Sequence, residues 1–238
     1  MLSIIIPCLN EAKGVAATLA ALAPLKARGA EVIVVDGGSE DDTVARAAPL
    51  ADLVITAPRG RAAQMNAGAA RARGEVLLFL HADTFLPGAA DTLIVEGLKR
   101  SRRGWGRFDV TINGRHPLLR AVEALMNLRS RLTGIATGDQ GIFVTRSLFT
   151  TAGGYPEIAL MEDVALSKRL KRFGLPLCLR HRLITSARRW EQRGVVRTIL
   201  LMWGLRLAYR LGADPGTLAL RYDGNRWKEY GKTRSSRR

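Results

Sequence analysis

The sequence predicts an α/β protein in which a mostly parallel β-sheet is flanked by helices, with a helical segment at the C-terminal end. Three observations support this fold class. Short apolar runs rich in β-branched residues alternate with helical stretches through the first half of the chain. Polar residues follow each of these runs, as they do at the ligand-binding edge of a parallel sheet. Apolar residues make up 47% and charged residues 24% of the 238 residues, which is a globular composition.

The first half contains four predicted strands separated by three predicted helices. The strands are the runs 2–7, 31–36, 51–57 and 75–83, and the helices are 14–29, 37–48 and 60–74. Ser39 is the predicted N-cap of the second helix, because its hydroxyl can accept a hydrogen bond from the first turn. Strands separated by helices of this length form βαβ units, and these units build a parallel sheet.

The second half is less regular. Its predicted strands are 104–112 and 139–149, with one or two short strands in 175–192, and its predicted helices are 117–134, 161–174 and 195–212. No repeat and no Gly/Ser-rich linker is visible, so a single domain is predicted over residues 1–230, with parts 1–100, 101–190 and 191–230. The basic tail 231–238 is predicted to be disordered.

The net charge of +16 is large and favours polyanionic partners such as anionic lipids or phosphorylated substrates, with solubility alone as the alternative. Cys8 and Cys178 match no metal or redox spacing, so both are predicted to be buried free thiols in a reducing compartment. No signal peptide and no run of about 20 apolar residues is visible. A cytoplasmic location is therefore predicted, with peripheral contact at the inner face of the membrane left open.

The apolar stretch 195–212 is interrupted by Arg197, Arg206 and Arg210. These arginines do not share one helical face, so the sequence favours core packing or a homodimer contact over a helix lying on a membrane surface.

Four segments, taken in order, resemble family 2 glycosyltransferases of the GT-A fold. They are IIIPCLNE, VVDGGSEDDT, FLHADT and MEDVALSKRL. Four motifs in order are more specific than any one of them. GDQGIFV, LMEDVALSKRL and SARRWE resemble, more narrowly, the rSAM/selenodomain-associated transferase 2, or arsenosugar-biosynthesis-type, glycosyltransferases. The resemblance implies a Rossmann-like GT-A sheet with a nucleotide-binding half over 1–100 and an acceptor-side half over 101–190.

The activity that the resemblance implies is inverting, metal-dependent transfer from a nucleotide sugar, foremost a UDP-sugar. The divalent metal, Mn²⁺ or Mg²⁺, is held in the family by an Asp-x-Asp motif, which reads His81-Ala82-Asp83 here. Asp83 matches the second acid and His81 replaces the first. His81 is either an imidazole ligand, which suits Mn²⁺ better than Mg²⁺, or a strand-end histidine bonded to the backbone.

Six residues match positions that contact the nucleotide in the family. They are Pro7, Asn10 and Glu11 near the ribose or base, Asp36 at the base or ribose, and Arg61 and Asn66 facing the diphosphate. The structural alternatives are that Asp36 serves its Asp-Gly-Gly turn, that Pro7, Asn10 and Glu11 form the N-terminal box of a helix, and that Arg61 is a solvated charge.

Glu162 and Asp163 match the family's Glu-Asp pair. Asp163 is the predicted general base that deprotonates the acceptor hydroxyl, with Glu162 assisting or positioning it. The alternative is a pair of acids that only stabilise a helix N-terminus.

The remaining predicted contacts lie on the acceptor side. Asp139 and Gln140 are expected to touch the sugar or acceptor, Arg189 to pair with the leaving diphosphate, and Trp190 to stack on the acceptor. Core packing is the alternative for Trp190. Ser186 stands where processive members have glutamine, which places processivity in doubt.

The implied partners are a nucleotide-sugar donor and a small-molecule or lipid acceptor, with no nucleic acid. The alternatives are a nucleotidyltransferase on a related fold and a basic nucleic-acid-binding protein without catalysis. A nucleotidyltransferase on a related fold would carry a Gly-rich basic signature after the first strand, which IIIPCLNEAKG lacks. A basic nucleic-acid-binding protein is supported by charge alone, because no binding module is visible.

Overall fold

The computed structural model describes residues 1–223, so the predicted tail 231–238 lies outside the described residues. The strands are β1 (Leu2–Cys8), β2 (Glu31–Asp36), β3 (Leu53–Thr56), β4 (Val76–Phe79), β5 (Thr84–Phe85), β6 (Trp105–Asn113), β7 (Ile142–Thr145) and β8 (Leu177–Ser186). The helices are α1 (Val15–Ala21), α2 (Ala23–Ala27), α3 (Thr43–Ala47), α4 (Arg61–Arg71), α5 (Ala90–Ser101), α6 (Leu118–Thr133), α7 (Arg146–Thr151), α8 (Glu162–Leu170), α9 (Arg188–Arg193), α10 (Val195–Arg210) and α11 (Pro215–Asp223).

These strands form one sheet in the order β3-β2-β1-β4-β7-β6-β8-β5. The four strands β1 to β4 pair in parallel, β8 pairs in parallel with β6, and β7 runs antiparallel to both β4 and β6. Cys8 lies opposite Asp36, and Asp36 lies opposite Thr56, so neighbouring strands end at the same edge. The predicted α/β class with a mostly parallel sheet is confirmed.

Both faces of the parallel region are buried, which is why its strands read as continuous apolar runs. Ile4 and Ile6 of β1 pack in one core cluster with Leu19 of α1. Ile5, which points to the opposite face, packs in a second cluster with Met65 of α4. The alternation along β1 therefore places helices on both sides of the sheet.

The structure corrects three local predictions in the first half. The helix predicted over 14–29 is split into α1 and α2, where Pro24 takes an N-terminal position that needs no backbone donor. Ser39 is not an N-cap: α3 begins at Thr43, and the Ser39 hydroxyl donates to Asp36 instead. The strand predicted over 75–83 ends at Phe79, after which the short β5 pairs with β8.

The second half differs at 139–149, which begins as a 3₁₀ turn over Gly138–Gln140 and continues into β7 and α7. Cys8 is a buried thiol as predicted, and burial, with the charges of Glu11 and Asp36, raises its pKa to about 12. Cys178 is a free thiol as predicted, but it is only partly buried, so the prediction of burial is wrong for this residue. Within residues 1–223, no helix combines the length and the apolar character that crossing a membrane requires.

Candidate active site

The loops that follow β1 and β2 are tied together by hydrogen bonds. The backbone N–H of Asn10 donates to the Ser39 hydroxyl at 2.9 Å, and the backbone N–H of Glu40 donates to the Asn10 side chain at 2.9 Å. Asp36 accepts from the backbone N–H groups of Gly38 and Ser39 at 2.8 and 2.9 Å. Gly38 has φ +86°, a conformation that favours glycine. These contacts hold two predicted nucleotide-binding loops in one arrangement.

Arg188, at the start of α9, joins two predicted site residues from different strand ends. Its Nη2 lies 2.8 Å from Oε1 of Glu11 and 3.8 Å from Oδ2 of Asp83. The second carboxylate oxygen of Glu11 is buried and has no hydrogen-bond partner in the described part of the chain. The structure therefore brings Glu11 and Asp83 to the same edge of the sheet.

His81 and Asp139 form a pair at 3.2 Å between Nδ1 and Oδ1. Burial raises the pKa of Asp139, but the hydrogen bond from His81 and the charges of His81, Arg61 and Arg189 outweigh that effect and hold this pKa well below its usual range. Gly138 lies against the other side of the imidazole, where an added Cβ would come within 2.3 Å of Nε2. His81 is thus oriented by Asp139 on one side and by backbone on the other.

The predicted catalytic pair begins α8. Asp163 accepts backbone hydrogen bonds at both oxygens: from Gly138 at 2.9 Å and from Val164 at 2.7 Å. Glu162 is 5% exposed, and its Oε1 lies 3.9 Å from Nη1 of Arg61. Burial, followed by the charge of Asp163, raises the pKa of Glu162 to about 7. Asp163 is therefore partly exposed, whereas Glu162 is buried.

These groups line one pocket that opens beside the strand ends. Its walls come from α4, α8, α9, α10, α11 and the loops after β4 and α6. The residues that line the pocket include Arg61, His81, Gly138, Asp139, Glu162, Asp163, Arg189, Met202, Arg206 and Tyr222. Six of the fourteen predicted site residues thus converge here, and Glu11 and Asp83 meet at Arg188.

Three predicted contacts take other positions. Asn66 binds the backbone of Tyr155 through both ends of its amide, each at 2.9 Å. Gln140 is fully buried, and its amide donates to the Ser130 hydroxyl at 3.1 Å. Trp190 packs against a core cluster that contains Val195. The structure gives these side chains anchoring or packing roles, so their predicted ligand contacts gain no support.

Several pocket residues carry no sequence motif. Arg206 and Met202 of α10 and Tyr222 of α11 line the pocket although their helices follow the matched segments. The Arg189 guanidinium stacks over the Tyr222 ring at 4.6 Å. Arg188 lies in the matched SARRWE segment, but its partners Glu11 and Asp83 are distant in sequence. Only three-dimensional packing shows these residues to be near the site.

The chain belongs to glycosyl transferase family 2. The sequence profile of the family described as "Glycosyl transferase family 2" matches residues 3–143, more than half of the chain. The match includes the strand ends that carry Glu11, Asp36, His81 and Asp83, and it stops before the Glu162-Asp163 pair. The chain matches no curated protein sequence.

Solved structures share the fold. A mannosyltransferase of Pyrobaculum calidifontis in complex with GDP-Man and Mn²⁺ has 23% identity and a TM-score of 0.63, with 95% of this chain and 71% of that chain covered. S. aureus TarS 1–349 in complex with UDP-GlcNAc has 19% identity and a TM-score of 0.64, with 78% and 58% covered.

A third similar structure is glucosyl-3-phosphoglycerate synthase of Mycobacterium tuberculosis with Mg²⁺ and UDP. It has 21% identity and a TM-score of 0.56, with 78% of this chain and 70% of that chain covered. The chain spans 36% of the longer TarS chain and 58% of TarS 1–349. These likenesses establish the GT-A arrangement of the sheet and helices.

Proposed function

We propose that this protein transfers a sugar, with inversion, from a nucleotide-sugar donor, foremost a UDP-sugar, to an acceptor hydroxyl. The observation that carries the proposal is the convergence of Asp163, Glu162, His81 and Asp139 in one pocket at the strand ends. Family membership and the similar structures that hold nucleotide sugars support it.

Asp163 is the proposed general base. As the acceptor oxygen attacks the anomeric carbon, its proton passes to the Asp163 carboxylate, and the bond from that carbon to the nucleoside diphosphate breaks. Backbone donation from Gly138 and Val164 fixes the direction of the carboxylate. The buried carboxyl group of Glu162, at the start of α8, lies 3.9 Å from Arg61.

The donor is proposed to lie along the strand ends that carry Pro7, Asn10, Glu11 and Asp36, with its diphosphate toward Arg61 and Arg189. Asp139 would then face the donor sugar, oriented by His81. The orphaned buried oxygen of Glu11 points to a ligand in this region, since buried acceptors are normally satisfied.

A divalent metal, Mn²⁺ or Mg²⁺, is part of the proposal. No group of three or more His, Cys, Asp or Glu side chains within residues 1–223 is arranged as a metal site. Asp83 nevertheless fits, because its side chain is 32% exposed and Mg²⁺ is often bound through one or two carboxylates plus substrate phosphates. When bound, the metal would neutralise the charge that develops on the departing diphosphate. His81 fits less well as a ligand, because Nδ1 faces Asp139 and Nε2 faces Gly138.

The narrower subfamily, the cytoplasmic location and a homodimer stay predictions, because no observation bears on them. No observation favours the nucleotidyltransferase or the nucleic-acid-binding alternative over transfer of a sugar.

The experiment that tests the proposal is a thermal-shift panel of UDP- and GDP-sugars, each with Mn²⁺ and with a chelator. At least one nucleotide sugar should raise Tm with Mn²⁺ present, by the linkage of binding to stability. If no member of the panel shifts Tm under either condition, the proposal is refuted.

A further inference from the structure

A pair of arginines beside the proposed base lacks anionic partners. Arg129 of α6 has Nε and Nη2 buried, and neither atom has a hydrogen-bond partner in the described part of the chain. Arg206 of α10 lines the pocket and makes no hydrogen bond or ion pair with another residue of 1–223. Buried guanidinium donors are almost always satisfied, so unsatisfied ones mark a missing ligand.

The two guanidinium groups lie close enough to act on one another. Burial and the positive charges of Arg206 and Arg107 together lower the pKa of Arg129 to about 10, and the charge of Asp163 opposes them. Arg107 pairs with Asp109 and donates to the backbone of Asn127, although its Nε also lacks a partner within residues 1–223. Arg206 lines the pocket, and both Arg129 and Arg206 keep guanidinium donors that no residue of 1–223 accepts.

Arg206 lines the pocket together with Asp163, and Arg129 is near enough for the charge of Asp163 to act on it. The charges that act on Asp139 are those of His81, Arg61 and Arg189, whereas the carboxylate that acts on Arg129 is Asp163. The base must touch the acceptor hydroxyl. A ligand group held by Arg129 and Arg206 would thus belong to the acceptor.

We propose that the acceptor carries a phosphate or carboxylate group, which Arg129 and Arg206 bind while its hydroxyl faces Asp163. Planar guanidinium groups bind both kinds of anion with two hydrogen bonds. This inference rests on the proposed function for the role of Asp163, but the anion site itself can be tested without turnover.

The test compares the wild type with Arg129→Met and Arg206→Gln, using Arg210→Gln as the matched control. Arg210 is an exposed arginine on α10, one turn beyond Arg206, and does not line the pocket. The probes are glycerol 3-phosphate, glycerate and glycerol, and their binding is measured by thermal shift and calorimetry. UDP is titrated separately into each variant.

Glycerol 3-phosphate or glycerate should stabilise the wild type and the control, and glycerol should not. Arg129→Met and Arg206→Gln should each weaken anion binding about tenfold or more. Arg129→Met should also have the higher Tm without anion, because it removes a buried cation that has no partner. UDP affinity should match the wild type in every variant.

Equal stabilisation of the wild type and Arg129→Met would overturn the proposal, as would no stabilisation of the wild type by either anion. A selective loss of UDP affinity in Arg129→Met would assign the pair to the donor diphosphate instead. If UDP binds none of these proteins, including the wild type, the proposed use of a UDP-sugar fails while the anion result still decides this inference.

A separate surface carries a second inference. Val196, Leu200, Trp203, Leu207 and Leu211, termed the α10 ridge, are spaced three or four residues apart and share one face of the helix. All five are more than half exposed, from 56% at Val196 to 79% at Leu211. The sequence-based preference for core packing holds only for the opposite face, where Val195, Thr198 and Leu205 are buried.

The neighbouring α6 adds exposed apolar surface and positive charge. It packs beside α10 through Val122 and Ile199, and it exposes Leu125, Leu128 and Leu132. Four arginines of the two helices are exposed, namely Arg120, Arg131, Arg197 and Arg210, and the one acid, Glu123, is buried. Exposed apolar area with a cationic border fits an anionic lipid surface. A symmetric contact with a second copy would instead bring the arginines of both copies together.

We infer that the α10 ridge docks on anionic membranes. The test is flotation with neutral phosphatidylcholine vesicles and with vesicles that also contain phosphatidylglycerol. The full chain should bind the anionic vesicles. The double variant Leu200→Ser, Leu207→Ser should bind them with an affinity lowered by about tenfold or more. Val95→Ser is the control, because Val95 is 44% exposed on α5 but stands between Asp91 and Lys99.

No binding by the wild type, or equal binding by the double variant, would overturn this inference. Equal binding would place the affinity elsewhere on this basic chain. A wild-type dimer that the double variant converts to monomer would show instead that a second copy covers the ridge.

Discussion

The backbone N–H of Gly138 donates to Oδ2 of Asp163 at 2.9 Å. The same glycine lies against the ring of His81, whose Nδ1 faces Asp139. One residue therefore links the proposed base with the pair that is proposed to face the donor sugar.

Gly138→Ala should reduce turnover by about 100-fold, because the new Cβ would displace the His81 ring and misplace groups that must be aligned for reaction. Unfolding free energy should fall by only about 1–3 kcal/mol. The measurement is turnover together with chemical unfolding. Gly88→Ala is the control, since nothing lies within 4 Å of a Cβ there. Unchanged turnover in Gly138→Ala would mean that this contact does not orient the site.

Asp83→Ala should remove the metal-dependent part of UDP binding, because the carboxylate is the proposed protein ligand at the strand end. Calorimetry with Mn²⁺ should give an affinity lowered by about tenfold or more, near the value found with a chelator. Asp42→Ala is the control, because its side chain is 77% exposed. An unchanged metal requirement in Asp83→Ala would exclude Asp83 as a ligand.

Arg188→Gln should tighten the binding of Mn²⁺ alone by about tenfold, since it removes a cation from between Glu11 and Asp83. Electron paramagnetic resonance of free Mn²⁺ measures this without turnover. The exposed Arg180→Gln serves as the control for a general loss of positive charge. Weaker Mn²⁺ binding in Arg188→Gln than in Arg180→Gln would contradict the arrangement described here.

Glu162→Gln should stabilise the protein in a pH-dependent way. Burial and the charge of Asp163 raise the pKa of Glu162 to about 7, so the folded protein holds this proton more tightly than the unfolded chain does. The resulting stability is present at low pH and is lost as pH rises through about 7.

Glutamine cannot lose a proton. The unfolding free energy of the variant should therefore exceed that of the wild type by an amount that grows from near zero at acidic pH to about 3 kcal/mol above neutrality. Urea unfolding across this range measures it, with the exposed Glu40→Gln as control. A constant difference at all pH values would mean that Glu162 ionises normally.

The parallel half of the fold and the polar residues at its strand ends could be predicted from the sequence for physical reasons. Strands such as β1 and β2 are buried on both faces, so their apolar runs are unambiguous. Polar residues at their ends had to meet because parallel strands end at one edge. Asp83 and Glu11 illustrate this: they are far apart in sequence, yet both lie near Arg188.

The rest of the site depends on packing that a pattern does not encode. Apolar residues of α10 occur both on the face that meets the core and on the exposed face, so the sequence pattern does not indicate the orientation of the helix. The pattern therefore does not show that Arg206 lines the pocket. Gln140 and Trp190 lie beside motif positions, but their side chains turn toward Ser130 and a core cluster.

The most direct measurement is donor turnover by the wild type and Asp163→Asn, with UDP affinity measured on the same samples. The account predicts that turnover falls by about 100-fold or more, the range of a lost general base, while UDP affinity stays within about threefold. Retained turnover with lost UDP affinity would contradict it, because Asp163 would then bind the donor rather than act on the acceptor.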